Sequence, residues 1–103
     1  MPTLDDARTY LGIDVTDDDL INTNVLRCLA TALKTLHGAV GEDIDKYLQG
    51  DPRAEELVLI YTDDLYSQRG LNAKVSGATR KLVADMEQQL RLELRQAKEA
   101  AGV

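Results

Sequence analysis

The sequence predicts an all-α fold, a small bundle of about four helices that ends in a long C-terminal helix. Apolar residues recur every three or four positions in four separate segments, which is the spacing of one helix face. Residues that start or stop helices bound these segments. The length of 103 residues suits one domain, so we assign residues 1–103 to a single helical domain.

The first helix is predicted to begin after Thr3, because Thr3 and Asp6 have the spacing of a capping box. Gly12 is placed to end this helix, and we expect Ile13 to reach the core. The predicted buried side consists of Leu4, Ala7, Tyr10 and Leu11.

The second helix is predicted to open in the segment Thr16–Asp19 and to end at His37 and Gly38. The three acids of that segment lack the ligand alternation of a calcium loop, so we interpret them as first-turn residues that favour the helix dipole. We expect the single cysteine, Cys28, to be a small buried hydrophobe. The predicted apolar face comprises Leu20, Ile21, Val25, Leu29, Ala32, Leu33 and Leu36.

A glycine-bounded connection over residues 38–50 holds a short apolar turn at Ile44, Tyr47 and Leu48. The third main helix follows, with Asp51 as its predicted cap and Gly70 as its predicted end. Its inner stripe is Ala54, Leu57, Val58, Tyr61 and Leu65. The run 57–61 is apolar nearly all round, so this helix needs cover on more than one side, and another subunit is one source of the second cover.

The last helix is predicted to run from about Thr79 to about Ala100. Its stripe comprises Leu82, Val83, Met86, Leu90, Leu94 and Ala97, and Leu92 points away from that stripe. The far end is basic, with Arg91, Arg95 and Lys98. Two interpretations of that basic end remain open: a solvated helix C-terminus or a contact with a partner.

Charge and residue types disfavour several classes of function. The formal net charge is −6, and an acidic chain is a poor candidate for wrapping nucleic acid. Cys28 and His37 are nine positions apart and point to opposite sides of one helix, so they cannot meet as a catalytic dyad. We find neither a phosphate-binding glycine motif nor a metal-ligand cluster. The sequence therefore predicts a protein that is not an enzyme and that uses no cofactor.

Two stretches of the sequence together carry a resemblance to a known family. The first is the phrase from Thr3 to Asp14 with the acidic opening 17–21, and the second combines residues 51–53, 57–61 and 64–70. They resemble the N-terminus and the third helix, respectively, of tailed-phage head–tail connector (adaptor) proteins. The sequence departs from the family near 71–78, where members often have a longer, Pro-containing segment, and a long helix replaces the usual ending.

The resemblance implies a homo-oligomeric ring of about a dozen copies under the portal protein of a filled capsid. Such a ring extends the DNA channel, so that genomic DNA is only passing content, and it presents a surface to the tail or stopper protein. The implied location is the head–tail junction of the virion, with the host cytoplasm during assembly and no membrane. The resemblance also implies that Tyr61, Leu65 and Tyr66 pack the bundle and that Arg69 forms an ion pair.

The off-stripe positions of Leu59 and Leu92 make them predicted subunit contacts. The full predicted interface comprises Leu59, Tyr66, Arg69, Arg91, Leu92 and Arg95, and the predicted channel-facing acids are Asp17, Asp18 and Asp19. The alternative function is a small helical regulatory or scaffold protein that acts through protein–protein contact. Such a protein would share the off-stripe apolar residues and would assemble as a dimer or bind one partner.

Overall fold

Helices build the described part of the chain. The computed structural model describes residues 1–13, 18–69 and 77–102, without the side chains of residues 68, 69 and 77–79. Within these ranges there are five helices and no strand: α1 (Leu4–Leu11), α2 (Asp19–Ala39), α3 (Ile44–Tyr47), α4 (Pro52–Arg69) and α5 (Gly77–Ala100). Since α3 is one turn long, the prediction of an all-α bundle with four main helices and a long C-terminal helix is confirmed.

The capping box at the start of α1 is confirmed. The Asp6 N–H donates to Thr3 Oγ1 at 3.2 Å, and the Thr3 N–H donates to Asp6 Oδ2 at 2.9 Å. Gly12 ends the helix with a left-handed backbone at φ +73°. The predicted buried side is wrong at Tyr10, which is 41% exposed, because Arg8 takes a buried position facing α2 instead.

The helix α2 begins within the predicted segment but ends later than expected. Asp18 is the cap, and its Oδ1 accepts from the Leu20 and Ile21 N–H groups at 2.9 and 3.3 Å, whereas Thr16 lies outside the described residues. Gly38 does not end α2, because the Val40 N–H still donates to the Leu36 carbonyl at 2.9 Å. Leu20 lies in the first turn and is 69% exposed, so its predicted place on the buried face is wrong.

The centre of the fold is α4, which contacts α1, α2 and α5. Asp51 precedes it and accepts the Arg53 N–H at 2.9 Å, whereas Gly70 lies outside the described residues. Leu59 is partly buried beside α1, so α1 of the same chain supplies the second cover that the apolar run 57–61 requires. The main core cluster comprises Ala32, Leu36, Val40, Ile44, Ala54, Leu57, Val58, Leu90 and Leu94.

The last helix, α5, starts at Gly77, two residues before the expected Thr79, and ends at Ala100 as expected. Its length is about 36 Å at about 1.5 Å per residue. Leu90 and Leu94 are buried, and Val83, Met86 and Ala97 are partly buried. Leu82 was predicted on this stripe but is 53% exposed, because α5 meets the core cluster through its second half. Leu92 is 50% exposed and points away from the core, as predicted.

Candidate functional site

The basic end of α5 is used largely within the chain. Arg91 Nη1 donates to the Ala39 carbonyl at 2.8 Å, at the negative end of the α2 dipole. Lys98 Nζ pairs with Asp43 Oδ2 at 2.7 Å, just before α3. Arg95 is different, because its ion pair with Glu99, at 3.9 Å, stays on α5 and its side chain is 73% exposed. Among these cations, Arg95 is therefore the best placed to meet a partner.

A second set of polar contacts joins the start of α4 to α5. Arg53 Nη2 lies 2.8 Å from Asp51 Oδ2 and also pairs with Glu93 of α5. Arg53 Nη1 donates to Gln89 Oε1 at 3.4 Å. These contacts hold the outer sides of α4 and α5 together beside Leu90.

Acid is expected to weaken the fold through Asp51 and Asp43. Hydrogen bonding to Arg53 lowers the pKa of Asp51, and hydrogen bonding to Lys98 lowers the pKa of Asp43, from an ordinary value of 3.8. The folded state therefore binds fewer protons than the unfolded state near that pH. The stabilisation is present above pH 3.8 and is lost as the pH falls through the folded-state pKa values. Denaturant unfolding at neutral pH and below pH 3.8 should show this loss.

The Asp51→Asn variant tests the origin of that pH dependence. It should be less stable than the wild type at neutral pH and should lose less stability on acidification, because one group with a lowered pKa is gone. Asp19→Asn, which changes an exposed acid in the first turn of α2, is the matched control. An equal loss on acidification in wild type and Asp51→Asn would contradict the assignment.

The burial of Arg8 was not predicted from the sequence. Its Nη1 donates to Asn22 Oδ1 at 3.0 Å, and its other terminal nitrogen pairs with Asp5. The side chain thus ties α1 to α2. The signal was available in the sequence, since Arg8 lies one turn after Leu4 and one turn before Leu11, on the apolar side of the helix.

The predicted interface residues divide between α4, with Leu59, Tyr66 and Arg69, and the second half of α5, with Arg91, Leu92 and Arg95. Leu59 lies against α1, and Tyr66 is partly buried on α4. Arg69 is the last residue of α4, and its predicted ion pair lies outside the described side chains. Leu92 is on the outer side of α5.

The predicted channel-facing acids have different environments. Asp18 is exposed and caps α2, whereas Asp19 is the exposed first residue of that helix. Asp17 lies outside the described residues. Only Asp18 and Asp19 can therefore be placed, and both lie at the N-terminal end of α2.

A shallow apolar groove runs along α2 beside the start of the chain. Its volume is about 230 Å³, and α4 contributes Val58 to its lining. Leu26 is 48% exposed at this groove. The other lining residues are Met1, Pro2, Leu29, Ala30 and Leu33. This surface was not predicted from the sequence, although Leu26, Ala30 and Leu33 recur at steps of four and three.

The groove continues into a more polar hollow at the end of α2. Ala30 and Leu33 line both depressions, and Lys34, His37 and Glu42 line the second one. His37 Nε2 lies 2.8 Å from Asp45 Oδ2, so the pair links α2 to α3. An exposed cation, Lys34, thus lies directly beside the apolar groove.

A further hollow, with acidic groups, lies beside Leu59 of α4. Pro2, Tyr10 and Leu59 line it together with Asp6 and Glu55. Burial, followed by the charges of Glu56 and Asp63, raises the pKa of the Tyr10 hydroxyl. Two carboxylates of α4 therefore act on a tyrosine of α1.

The groups that could support chemistry lie apart. Cys28 is buried on α2, while His37 near the end of that helix contacts Asp45. No group of three His, Cys, Asp or Glu side chains within the described ranges could hold a metal ion. None of the helices built from the described residues is long and apolar enough to cross a membrane.

No protein-family model, curated protein or solved structure matches the chain.

Proposed function

We propose that this chain is a structural head–tail connector of a tailed bacteriophage. It forms a ring under the portal protein, extends the DNA channel and joins the head to the tail or stopper protein. The observation that carries the proposal is that the two stretches resembling connector proteins meet in space. The helix α1, which holds the first phrase, covers the run 57–61 of the second stretch at Leu59. Stretches that are far apart in sequence thus form one unit of the fold.

Exposed apolar side chains give the proposal further support. The chain buries a core of its own, yet Leu26, Leu82 and Leu92 are each about half exposed. A ring subunit needs such residues, because it packs one patch against a different patch on its neighbour. Single exposed leucines are common on protein surfaces, whereas a leucine beside an apolar groove is typical of an interaction site.

The acids at the start of α2 suit a channel wall. Asp18 and Asp19 are exposed. A wall of like charge would let the DNA backbone slide without sticking, because phosphates and carboxylates repel. In an image of the ring that resolves helices, the start of α2 should face the central hole, and a position on the outer rim would refute this role.

The expected result for the free protein is a ring. Light scattering across a concentration series, with negative-stain images of the heaviest fraction, should reveal closed particles of about a dozen subunits with a central hole. A protein that stays monomeric should then bind to portal-bearing heads that lack their tails. Failure both to form rings and to bind such heads would contradict the proposal.

The alternative is a small regulatory or scaffold protein that acts through protein–protein contact. The α2 groove favours it, because an amphipathic helix binds in an apolar groove of this kind. A stable dimer over the whole concentration series, with no larger species and no affinity for heads, would support this function instead.

A further inference from the structure

We infer that copies of this chain join head to tail, with the α5 leucine face of one copy docked in the α2 groove of the next. The α5 leucine face is defined as Leu82, Asp85 and Leu92. The α2 groove is the depression that Leu26, Leu29, Ala30 and Leu33 line together with Met1, Pro2 and Val58. The inference names a contact between copies. It rests on the proposed connector function only for the closure of such contacts into a ring.

The receiving surface is apolar and open. Leu26 and Leu33 stand seven residues apart on one side of α2, and the small side chain of Ala30 leaves a gap between them. Val58 of α4 contributes to the lining, so the bottom of the groove is also apolar. Closing it against another apolar surface removes these side chains from water, which favours association.

The entering surface is the outer side of α5. Leu82 and Leu92 are ten residues apart, which is about 15 Å along a helix. At about 100° per residue they lie about 80° apart around the axis, so both can face one neighbour. By the same spacing, Asp85 lies between them and is exposed.

Charge complementarity identifies a second copy as the occupant. Lys34 follows Leu33 directly in sequence and is exposed beside the groove, and Arg27, which follows Leu26 directly, is also exposed. The entering leucines instead flank an acid, Asp85. The leucines of α5 and those of the groove therefore carry opposite charges beside them. When the two surfaces meet, Asp85 can face Arg27 or Lys34.

The α5 leucine face and the α2 groove of the same copy cannot contact each other. The groove uses the Val58 side of α4, whereas α5 is held at the Arg53 side of that helix through Glu93 and Gln89. The complementary surface must then come from another molecule. A contact between two different patches repeats from copy to copy and produces an open chain or a closed ring.

Blocking each surface separately tests the inference. Leu26→Asp blocks the groove and Leu92→Asp blocks the leucine face, and both positions are exposed enough to leave the fold intact. The wild-type mass in sedimentation should rise with concentration. Each variant alone should associate roughly tenfold to hundredfold more weakly, because burying one leucine has an effect of that size. Circular dichroism should show unchanged helicity.

The decisive sample is an equimolar mixture of the two blocked variants. The groove-blocked copy retains its leucine face, and the other copy retains its groove. The mixture should therefore form a one-to-one dimer and nothing larger. Leu20→Asp, at an exposed position outside both surfaces, is the control and should associate like the wild type.

A charge reversal tests the polar part of the contact. Asp85→Lys should weaken association, and combining it with Lys34→Glu should restore part of the loss.

Any one of three results would overturn the inference. The wild-type protein could stay monomeric at every concentration, the blocked variants could associate normally, or the mixture could stay monomeric. If each blocked variant still formed rings, this contact would be refuted and the connector proposal would stand. If the mixture formed a dimer but the wild type neither formed rings nor bound heads, the contact would stand and the connector proposal would be refuted.

Discussion

Replacing Leu57 by alanine is expected to lower the free energy of unfolding by about 2–5 kcal/mol. Leu57 is fully buried in the first half of α4, in the cluster that also holds residues of α2, α3 and α5. The truncation removes apolar contacts and leaves a cavity that neighbours such as Leu36 and Leu90 can fill only in part. Against a typical total of about 5–15 kcal/mol, such a loss leaves a marginal protein.

Denaturant unfolding followed by circular dichroism measures this loss. The matched control is Leu20→Ala, which makes the same chemical change on an exposed side chain of α2. It should change the free energy of unfolding by less than about 0.5 kcal/mol. Equal effects of the two substitutions would show that Leu57 is not in the core.

Local sequence signals were sufficient for the helices. Thr3 with Asp6 marked the start of α1, and the apolar run 57–61 correctly predicted that α4 is covered on more than one side. Periodicity identifies the inward side of a helix but not how far its neighbours extend along it. Leu20 and Leu82 have inward spacing, yet each lies near the start of its helix and is exposed. The end of α2 was misplaced because a glycine inside a helix looks the same in sequence as one that ends it.

Long-range contacts could not be predicted from the sequence. The basic end of α5 was evident, but Arg91 donates to a carbonyl 52 positions earlier in the chain. The apolar run of α4 indicated a second cover, and nothing local could distinguish α1 from another subunit at Leu59. The exposed position of Leu92 needed only helix periodicity and is confirmed. The α2 groove combines residues of α2, α4 and the first two positions of the chain, so it emerges only from the fold.

Replacing Gly41 by alanine is expected to cost about 1–3 kcal/mol of stability. Gly41 links α2 to the short α3 with φ +148°, a backbone conformation that side chains with a Cβ rarely adopt. An added Cβ would also come within 2.7 Å of Leu94 Cδ2. Leu94 is buried in the core cluster, so it has little room to move away.

Gly38→Ala is the matched control, with the opposite expected sign. Gly38 is exposed inside α2, and nothing would lie within 4 Å of its new Cβ. Alanine there should raise the free energy of unfolding by about 0.5–1 kcal/mol, because it restricts the unfolded chain and favours the helix. If Gly38 ended α2 instead, alanine would destabilise the protein at that position. Denaturant unfolding of Gly38→Ala therefore tests the helix boundary, and that of Gly41→Ala tests the close approach of Gly41 to Leu94. Stabilisation by Gly41→Ala would contradict that approach.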